Sequence, residues 1–395
     1  MKKFLKWILS GLYGLVMIEV IIMISPFAFY WYSLYAPTLQ GLHRWRATAW
    51  MEAFFLPHSV ITTSPGLEFL RWRVGAWAFS VGVLGLVFCA AQVYGSKLLG
   101  KGMVRSLLYA RIRHPLYLCL AIAGFGLLTM WPRIIILLLY VGMLLAYYFL
   151  ARIEEEQMAA KHLEYIEYER RTAMFIPGNP GGRLFKLIFG WIPNRRAALA
   201  ISSVMIVAGV IGGGLGLRRY TIGHAATDLL PGDHILAIAV WPMPAEKIQQ
   251  VVLAAMSDER VKTALRKEPG AVFTAHVLPE DYGMVNMFAD VGTDHKMFSR
   301  ITPGRFKYFL TFVFPYLDGD LRKEIMGSPQ DNYKVVFSRV DEPGRADITV
   351  SHVADLSAKM TPVVIADLRG PRPAIQDVTI PPHRSFWGDI TMPMF

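Results

Sequence analysis

Long apolar runs dominate the first half of the chain and predict helices that cross a membrane. Five runs are present, at about residues 7–24, 72–94, 116–131, 134–151 and 197–217. Trp131-Pro132-Arg133 separates the third run from the fourth and predicts a tight helical hairpin. The two polar ends of such a hairpin meet on one side of the membrane.

The second half shows shorter, mixed patterns that predict a globular α+β domain. Ile235–Val240 reads as a buried strand, and Ala245 to Lys267 has the apolar spacing of a helix. Residues 333–340 and 346–353 alternate apolar and polar side chains around Asp341–Arg345, which predicts a hairpin. Residues 309–317 are too short to span and predict either core or a surface that touches membrane or a partner.

The predicted fold class is an α-helical integral membrane domain of about five transmembrane helices, followed by an extramembrane α+β domain. Its parts are a membrane domain at 1–217, an outer domain at 220–368 and an extended C-terminal arm at 369–395. Arms of this kind often wrap a neighbouring subunit. Aromatic residues within 25–71, with amphipathic character at 50–56, predict a segment along the outer membrane interface.

Charge is unevenly distributed along the chain and predicts its orientation. Residues 1–217 contain 21 Lys and Arg against 9 Asp and Glu, whereas residues 218–395 contain 20 against 21. Cytoplasmic loops of membrane proteins are enriched in Lys and Arg. We therefore expect a cytoplasmic N-terminus held by an uncleaved signal anchor, and an extracytoplasmic (in a Gram-negative cell, periplasmic) C-terminal domain. The basic charge is no argument for nucleic-acid binding.

Cysteine and histidine give no sign of a metal centre. The chain has two cysteines, Cys89 and Cys119, both within apolar segments, so no disulfide framework is predicted. The histidines of the outer domain are scattered without the spacing of metal ligands. Glu19 lies inside the first run, where it is either a functional carboxylate or the partner of a neighbouring helix.

Polar residues flank the predicted hairpin and would gather at one membrane face. The motif Arg113-His114-Pro115-Leu116-Tyr117 precedes it, and the triplet Glu154-Glu155-Glu156 follows it. Farther along come Tyr165-x-x-Tyr168 and Phe175-Ile176-Pro177. The two tyrosines suit substrate contact and interface anchoring equally well.

In their order and spacing, these motifs resemble the isoprenylcysteine carboxyl methyltransferase family, including its bacterial relatives and, more distantly, the phospholipid N-methyltransferases. The resemblance covers about residues 70–177. It implies an S-adenosylmethionine pocket formed by Arg113, His114, Tyr117, Glu154 and Glu155. His114 and Glu154 are then the candidate catalytic residues.

Three positions depart from the family pattern. Cys119 stands where the family usually has glycine, and Lys161-His162 replaces a Phe-Gly pair. Counted back from Tyr165, the two family glutamates fall on Ile153 and Glu154, unless the register slips onto Glu155.

Two functions from different classes follow. The first is an S-adenosylmethionine-dependent methyltransferase in the membrane lipid bilayer that acts on a lipophilic or membrane-embedded acceptor. The second is a catalytically degenerate scaffold subunit that docks onto a larger membrane complex through its outer domain and arm. A third and weaker interpretation has the outer domain bind a ligand and signal inward.

Overall fold

A computed structural model gives the structure of two compact units of the chain. It describes residue 11 and residues 41–42, 45–57, 62–100, 103–130, 132–230, 234–240, 243–280, 289, 331–341 and 359–381. One unit comprises residues 1–21, 70–131 and 135–215, and the other comprises 22–69, 132–134 and 216–395. Apart from residue 11, the predicted first span with Glu19 lies outside the described residues. The 309–317 segment and the predicted strand at 346–353 also lie outside them.

Three described helices are long and apolar enough to cross a membrane. They are Pro65–Ser96, Ile134–Lys161 and Arg195–Gly223, and a shorter apolar helix covers Pro115–Thr129. These four correspond to the second through fifth predicted spans. A helical first part with candidate membrane spans is therefore confirmed, while the number of five spans stays a prediction.

Six helices make up most of the first unit. They are α1 (Gly75–Leu98), α2 (Pro115–Met130), α3 (Ile134–Lys161), α4 (Leu163–Arg171), α5 (Pro180–Phe189) and α6 (Arg195–Gly223, which continues into the second unit). A helical turn at Pro65–Glu68 and a π-helical stretch at Phe69–Val74 lead into α1. Helix α3 runs ten residues beyond the predicted end of its apolar run, so it carries the glutamate triplet on its last turns.

Helices α1 and α2 approach each other closely because small residues line their contact. A Cβ atom at Gly82 would overlap the backbone of Ala123, and one at Gly126 would overlap the backbone of Phe79. A Cβ atom at Gly85 would lie 2.7 Å from the Cys119 Sγ atom. Such contacts replace the missing hydrophobic drive between helices in lipid with close packing.

The segment predicted to lie along the outer interface is in part buried. Residues 53–57 are buried, and the Phe55 amide donates to the Pro132 carbonyl at 2.8 Å. Arg218 Nη1 donates to the Phe54 carbonyl at 2.8 Å, and Thr221 Oγ1 donates to the Phe55 carbonyl at 2.9 Å. The backbone groups of these residues thus pair inside the unit, and the position of the segment along the outer interface stays a prediction.

The second unit contains a six-stranded sheet in the order β1-β2-β3-β4-β5-β6. Its strands are β1 (Thr227–Leu230), β2 (Ile235–Ala239), β3 (Phe273–Pro279), β4 (Asn332–Asp341), β5 (Lys359–Arg369) and β6 (Ala374–Thr379). Strands β2 and β3 pair in parallel, and the other neighbours are antiparallel. The parallel pair requires a crossover, which two helices supply.

Helices α7 (Ala245–Met256) and α8 (Glu259–Arg266) cover one face of the sheet. Ile248, Val251, Val252 and Ala255 of α7 join buried residues of five strands, β1 to β5, in one apolar core. The single helix predicted over 245–267 is interrupted at Ser257–Asp258. There the Asp258 carboxylate accepts the Arg260 amide at 2.7 Å and begins the second helix.

The segment predicted to be an extended arm contributes a strand in its first part. Ala374–Thr379 forms β6, which pairs with β5 and is the last strand of the described sheet. Gly370 has a φ of +94° at the turn between them. Residues 382–395 lie outside the described part of the chain.

Candidate functional site

Backbone pairing between two segments that are distant in sequence brings the motif residues into one place. Ile112 and Ala173 form a parallel bridge. The Arg113 amide donates to the Ala173 carbonyl at 2.8 Å, and the His114 amide donates to the Met174 carbonyl at 3.1 Å. The start of α2 is thereby fixed against the chain that leaves α4.

Arg113 is engaged by protein groups on two sides. Its Nε donates to Glu155 Oε1 at 2.6 Å, and its Nη1 donates to the Glu169 carbonyl at 2.8 Å and to the Thr172 carbonyl. Those carbonyls belong to the C-terminal end of α4, where helix carbonyl groups lack intrahelical partners. Arg113 therefore joins α3 to the end of α4.

Glu155 lies inside the protein against Arg113 and His114. Its side chain is 3% exposed, and its Oε1 atom is 3.3 Å from His114 Nε2. Arg152 Nη1 lies 3.9 Å from the other carboxylate oxygen. A buried carboxylate with these neighbours has its charge compensated locally, as a buried ion requires.

Glu154, the preceding residue, faces a more open environment. Its side chain is 41% exposed, and Tyr117 Oη donates to its Oε1 at 2.8 Å. His114 Nδ1 lies 3.7 Å from the other oxygen. The imidazole of His114 thus stands between the two glutamates, with one ring nitrogen toward each.

Aromatic rings continue the site along α2 and α3. The rings of His114 and Tyr117 stack with centroids 5.6 Å apart, and those of Tyr117 and Tyr147 stack at 4.9 Å. Phe175 lies beside His114, with a centroid distance of 6.0 Å. The resulting cluster presents one exposed carboxylate at the end of an aromatic stack.

The structure brings all five predicted site residues together. Tyr147, Thr172 and Phe175 join them and were not predicted. Tyr147 is seven residues before Glu154, two helical turns, so helical spacing placed it on the same face of α3. Thr172 takes part through its backbone carbonyl, which no side-chain pattern reveals.

Tyr165 and Tyr168 pack within the unit. Tyr165 is buried, and Tyr168 Oη donates to the Tyr109 carbonyl at 2.6 Å. Burial raises the pKa of both phenols. These contacts give both tyrosines a structural role within the unit, and the choice between substrate contact and interface anchoring stays a prediction.

Two of the departures from the family pattern have a local explanation. Cys119 is buried with Cys89 and lies against Gly85, so glycine on the facing helix supplies the space that the thiol takes. Glu154 and Glu155 both lie against His114, which is the arrangement that a register slip onto Glu155 requires. Ile153 takes no part in these contacts.

Metal ligands do not cluster in the part of the chain that the structure describes. Within the described ranges, no group of three or more His, Cys, Asp or Glu side chains could hold a metal ion.

Comparison with known proteins finds a distant relative. The chain is 33% identical over 144 residues to the cobalt-zinc-cadmium resistance protein CzcN of Cupriavidus metallidurans. That stretch covers 36% of this chain and 57% of the relative, so the chain matches a little over half of its length. No protein-family model and no solved structure matches the chain. The resemblance to membrane methyltransferases stays a prediction.

Proposed function

We propose that this chain is an integral membrane methyltransferase that uses S-adenosylmethionine and acts on a lipophilic or membrane-embedded acceptor. The observation that carries the proposal is the contrast between two adjacent glutamates at one histidine. Glu155 is enclosed with Arg113, whereas Glu154 is 41% exposed and held by Tyr117. An exposed carboxylate with a fixed orientation suits recognition of a small polar ligand.

The cofactor fits this site with a changed assignment of roles. S-adenosylmethionine offers ribose hydroxyls and an ammonium group, which the Glu154 carboxylate would accept. Arg113 directs Nε and Nη1 to Glu155 and to the end of α4, so we assign it and Glu155 to holding the site. Tyr117 orients Glu154, and the stack of Tyr117 on Tyr147 would form an apolar wall.

When bound, the cofactor supplies an activated methyl group for displacement at carbon. The protein residues bind, align the acceptor and exclude water, and positioning of this kind lowers a barrier substantially. The His114 imidazole lies between Glu154 and Glu155, with one ring nitrogen directed toward each carboxylate. We therefore assign His114 or Glu154 to accept a proton from an acidic, thiol or amine acceptor.

Binding of labelled S-adenosylmethionine to the purified protein in detergent tests this function. We expect saturable binding that Glu154→Ala and His114→Ala each lower at least tenfold. Glu156→Gln, an exposed carboxylate of the same triplet, is the matched control and should bind like the original chain. A folded protein that binds no cofactor would contradict the proposal.

The alternative is a catalytically degenerate scaffold subunit of a larger membrane complex. The specific observation in its favour is that Arg113 and Glu155, two of the five predicted pocket residues, serve each other and the end of α4. In that case the folded protein binds no cofactor, and native purification recovers it with other subunits.

The relative adds a biological context and no direct mechanism. The name of that protein describes cobalt, zinc and cadmium resistance. We propose that a part of this chain in metal resistance would act through methylation of a lipid or of a membrane protein.

A further inference from the structure

Helix α5 has the composition of a helix that lies at a membrane surface. It carries five large apolar residues, Leu184, Phe185, Leu187, Ile188 and Phe189. Arg183 and Lys186 are three residues apart and therefore share the remaining face. This arrangement separates a broad apolar face from a narrow cationic one.

The structure leaves the apolar face of α5 uncovered by the described residues. No residue of the helix is buried, and Leu187 is 81% exposed. Trp191, directly after the helix, is 78% exposed, and its indole nitrogen donates to the Ile188 carbonyl at 2.8 Å. A ten-residue helix with two glycines is marginal in water without an apolar surface to cover it.

The ends of α5 are nonetheless well specified. The Asn179 side chain accepts the Gly182 amide at 3.1 Å, and Pro180 is the first residue of the helix. After the helix, the Asn194 side chain accepts the Arg196 amide at 3.0 Å at the start of α6. The helix is therefore a defined element joined by a short turn to a candidate membrane span.

Position and charge together indicate what covers this face. Helix α6 begins at Arg195, six residues after α5 ends, so α5 is held next to the bilayer that α6 is fitted to cross. Residues 170–196 contain six basic residues and no acidic one, namely Arg170, Arg171, Arg183, Lys186, Arg195 and Arg196. Anionic phospholipid headgroups attract such a segment beside a membrane helix.

We propose that α5 and Trp191 form an interfacial anchor that lies in a leaflet rich in anionic phospholipid. Leu184, Leu187 and Ile188 enter the boundary between headgroups and acyl chains, while Arg183 and Lys186 contact lipid phosphates. Trp191 sits at headgroup level, where the amphipathic indole ring is favoured. The anchor is independent of the proposed cofactor site.

Spin labels on the full chain in lipid nanodiscs test this proposal. Leu187→Cys and Lys186→Cys place a nitroxide on the apolar and on the cationic face of α5, at positions that point about 100° apart. The unsubstituted chain measures labelling of Cys89 and Cys119. We expect the label at 187 to be accessible to oxygen and shielded from a water-soluble nickel chelate. The label at 186 should show the reverse preference.

A second comparison tests the lipid charge. Raising phosphatidylglycerol from none to about a third of a phosphatidylcholine bilayer should move the label at 187 deeper. Arg183→Gln with Lys186→Gln should abolish that shift. Arg266→Gln with Lys267→Gln, two exposed cations of the sheet domain, removes the same charge and should retain it.

Three results would overturn the proposal. The label at 187 could be as accessible to the nickel chelate as the label at 186. It could be shielded from both reagents, which would indicate a protein partner. The label at 187 could also lie at the same depth regardless of lipid charge, which would exclude the proposed contacts with lipid phosphates.

Discussion

The adjacent residues Glu154 and Glu155 differ in how deeply their carboxylates are buried and in which groups contact them. Glu155 compensates the charge of Arg113 inside the protein, while Glu154 is held by one tyrosine and remains open to solvent. Adjacent positions on a helix point about 100° apart, so one carboxylate can be enclosed while the next is presented. The sequence predicted both glutamates for the site and could not separate these roles.

The two glutamates should respond differently to truncation. We expect Glu155→Ala to lower the free energy of unfolding by roughly 3 kcal/mol, because it leaves Arg113 buried without its carboxylate. Glu154→Ala should cost less than about 1 kcal/mol while losing cofactor binding. Thermal unfolding in one detergent measures both, and equal losses of stability would contradict this division.

His276 on β3 predicts a pH dependence for the sheet domain. Burial lowers its pKa to about 3, whereas the unfolded chain has the ordinary value near 6.5. The unfolded state then binds more protons as pH falls, so stability is present above about pH 6.5 and is lost below it. The loss attributable to this group reaches about 2 kcal/mol by pH 5.

Replacing this histidine should flatten that dependence. We expect His276→Gln to reduce the loss of stability between about pH 6.5 and pH 5, measured by hydrogen exchange of the β3 amides. The control is His234→Asn, because His234 is exposed and asparagine tolerates its φ of +51°. An unchanged pH slope in His276→Gln would exclude this histidine as the cause.

Helices and strands could be predicted where buried or lipid-facing side chains leave a clear apolar pattern in the sequence. The apolar runs predicted four helices correctly, because contact with lipid and packing against other helices both favour apolar side chains. The runs at 72–94, 116–131, 134–151 and 197–217 correspond to α1, α2, α3 and α6. Strand β6 was missed because its side chains are mostly exposed or half-buried, so it carries no apolar stripe. The break between α7 and α8 depends on one cap residue, which a continuing apolar period concealed.

The close approach of α1 and α2 predicts that alanine has opposite effects on stability at two glycines of α1. We expect Gly82→Ala to destabilise by roughly 1–3 kcal/mol, because the new Cβ atom meets the Ala123 backbone. Gly95→Ala meets nothing within 4 Å and should stabilise by up to about 1 kcal/mol through helix propensity. Unfolding in detergent measures both, and two stabilising substitutions would contradict the packing.

Across the whole molecule, the distribution of charge along the chain says more about membrane orientation than the overall composition does. Basic residues are concentrated in the loop 95–113 and in residues 152–196, and both segments adjoin described membrane helices. We therefore propose that both segments are cytoplasmic and that the sheet domain is extracytoplasmic.

The geometry of the site could not be read from the sequence, because a backbone bridge between distant residues assembles it.

Fusions at two points test this orientation. Alkaline phosphatase joined after residue 175 should be inactive, and joined after residue 225 it should be active, because the enzyme folds only outside the cytoplasm. Green fluorescent protein at the same points should give the opposite pattern. Activity of phosphatase at the first point would reverse the orientation.

The contact between Arg113 and Thr172 also bears on how the protein is made. Because the two residues are 59 positions apart, α2, α3 and α4 are all synthesised before Arg113 can contact the Thr172 carbonyl. A nascent chain that ends before residue 172 holds the hairpin with an incompletely satisfied arginine at its entrance. Completion of the site therefore has to wait until residue 172 has been synthesised, after the whole hairpin and α4 have been made.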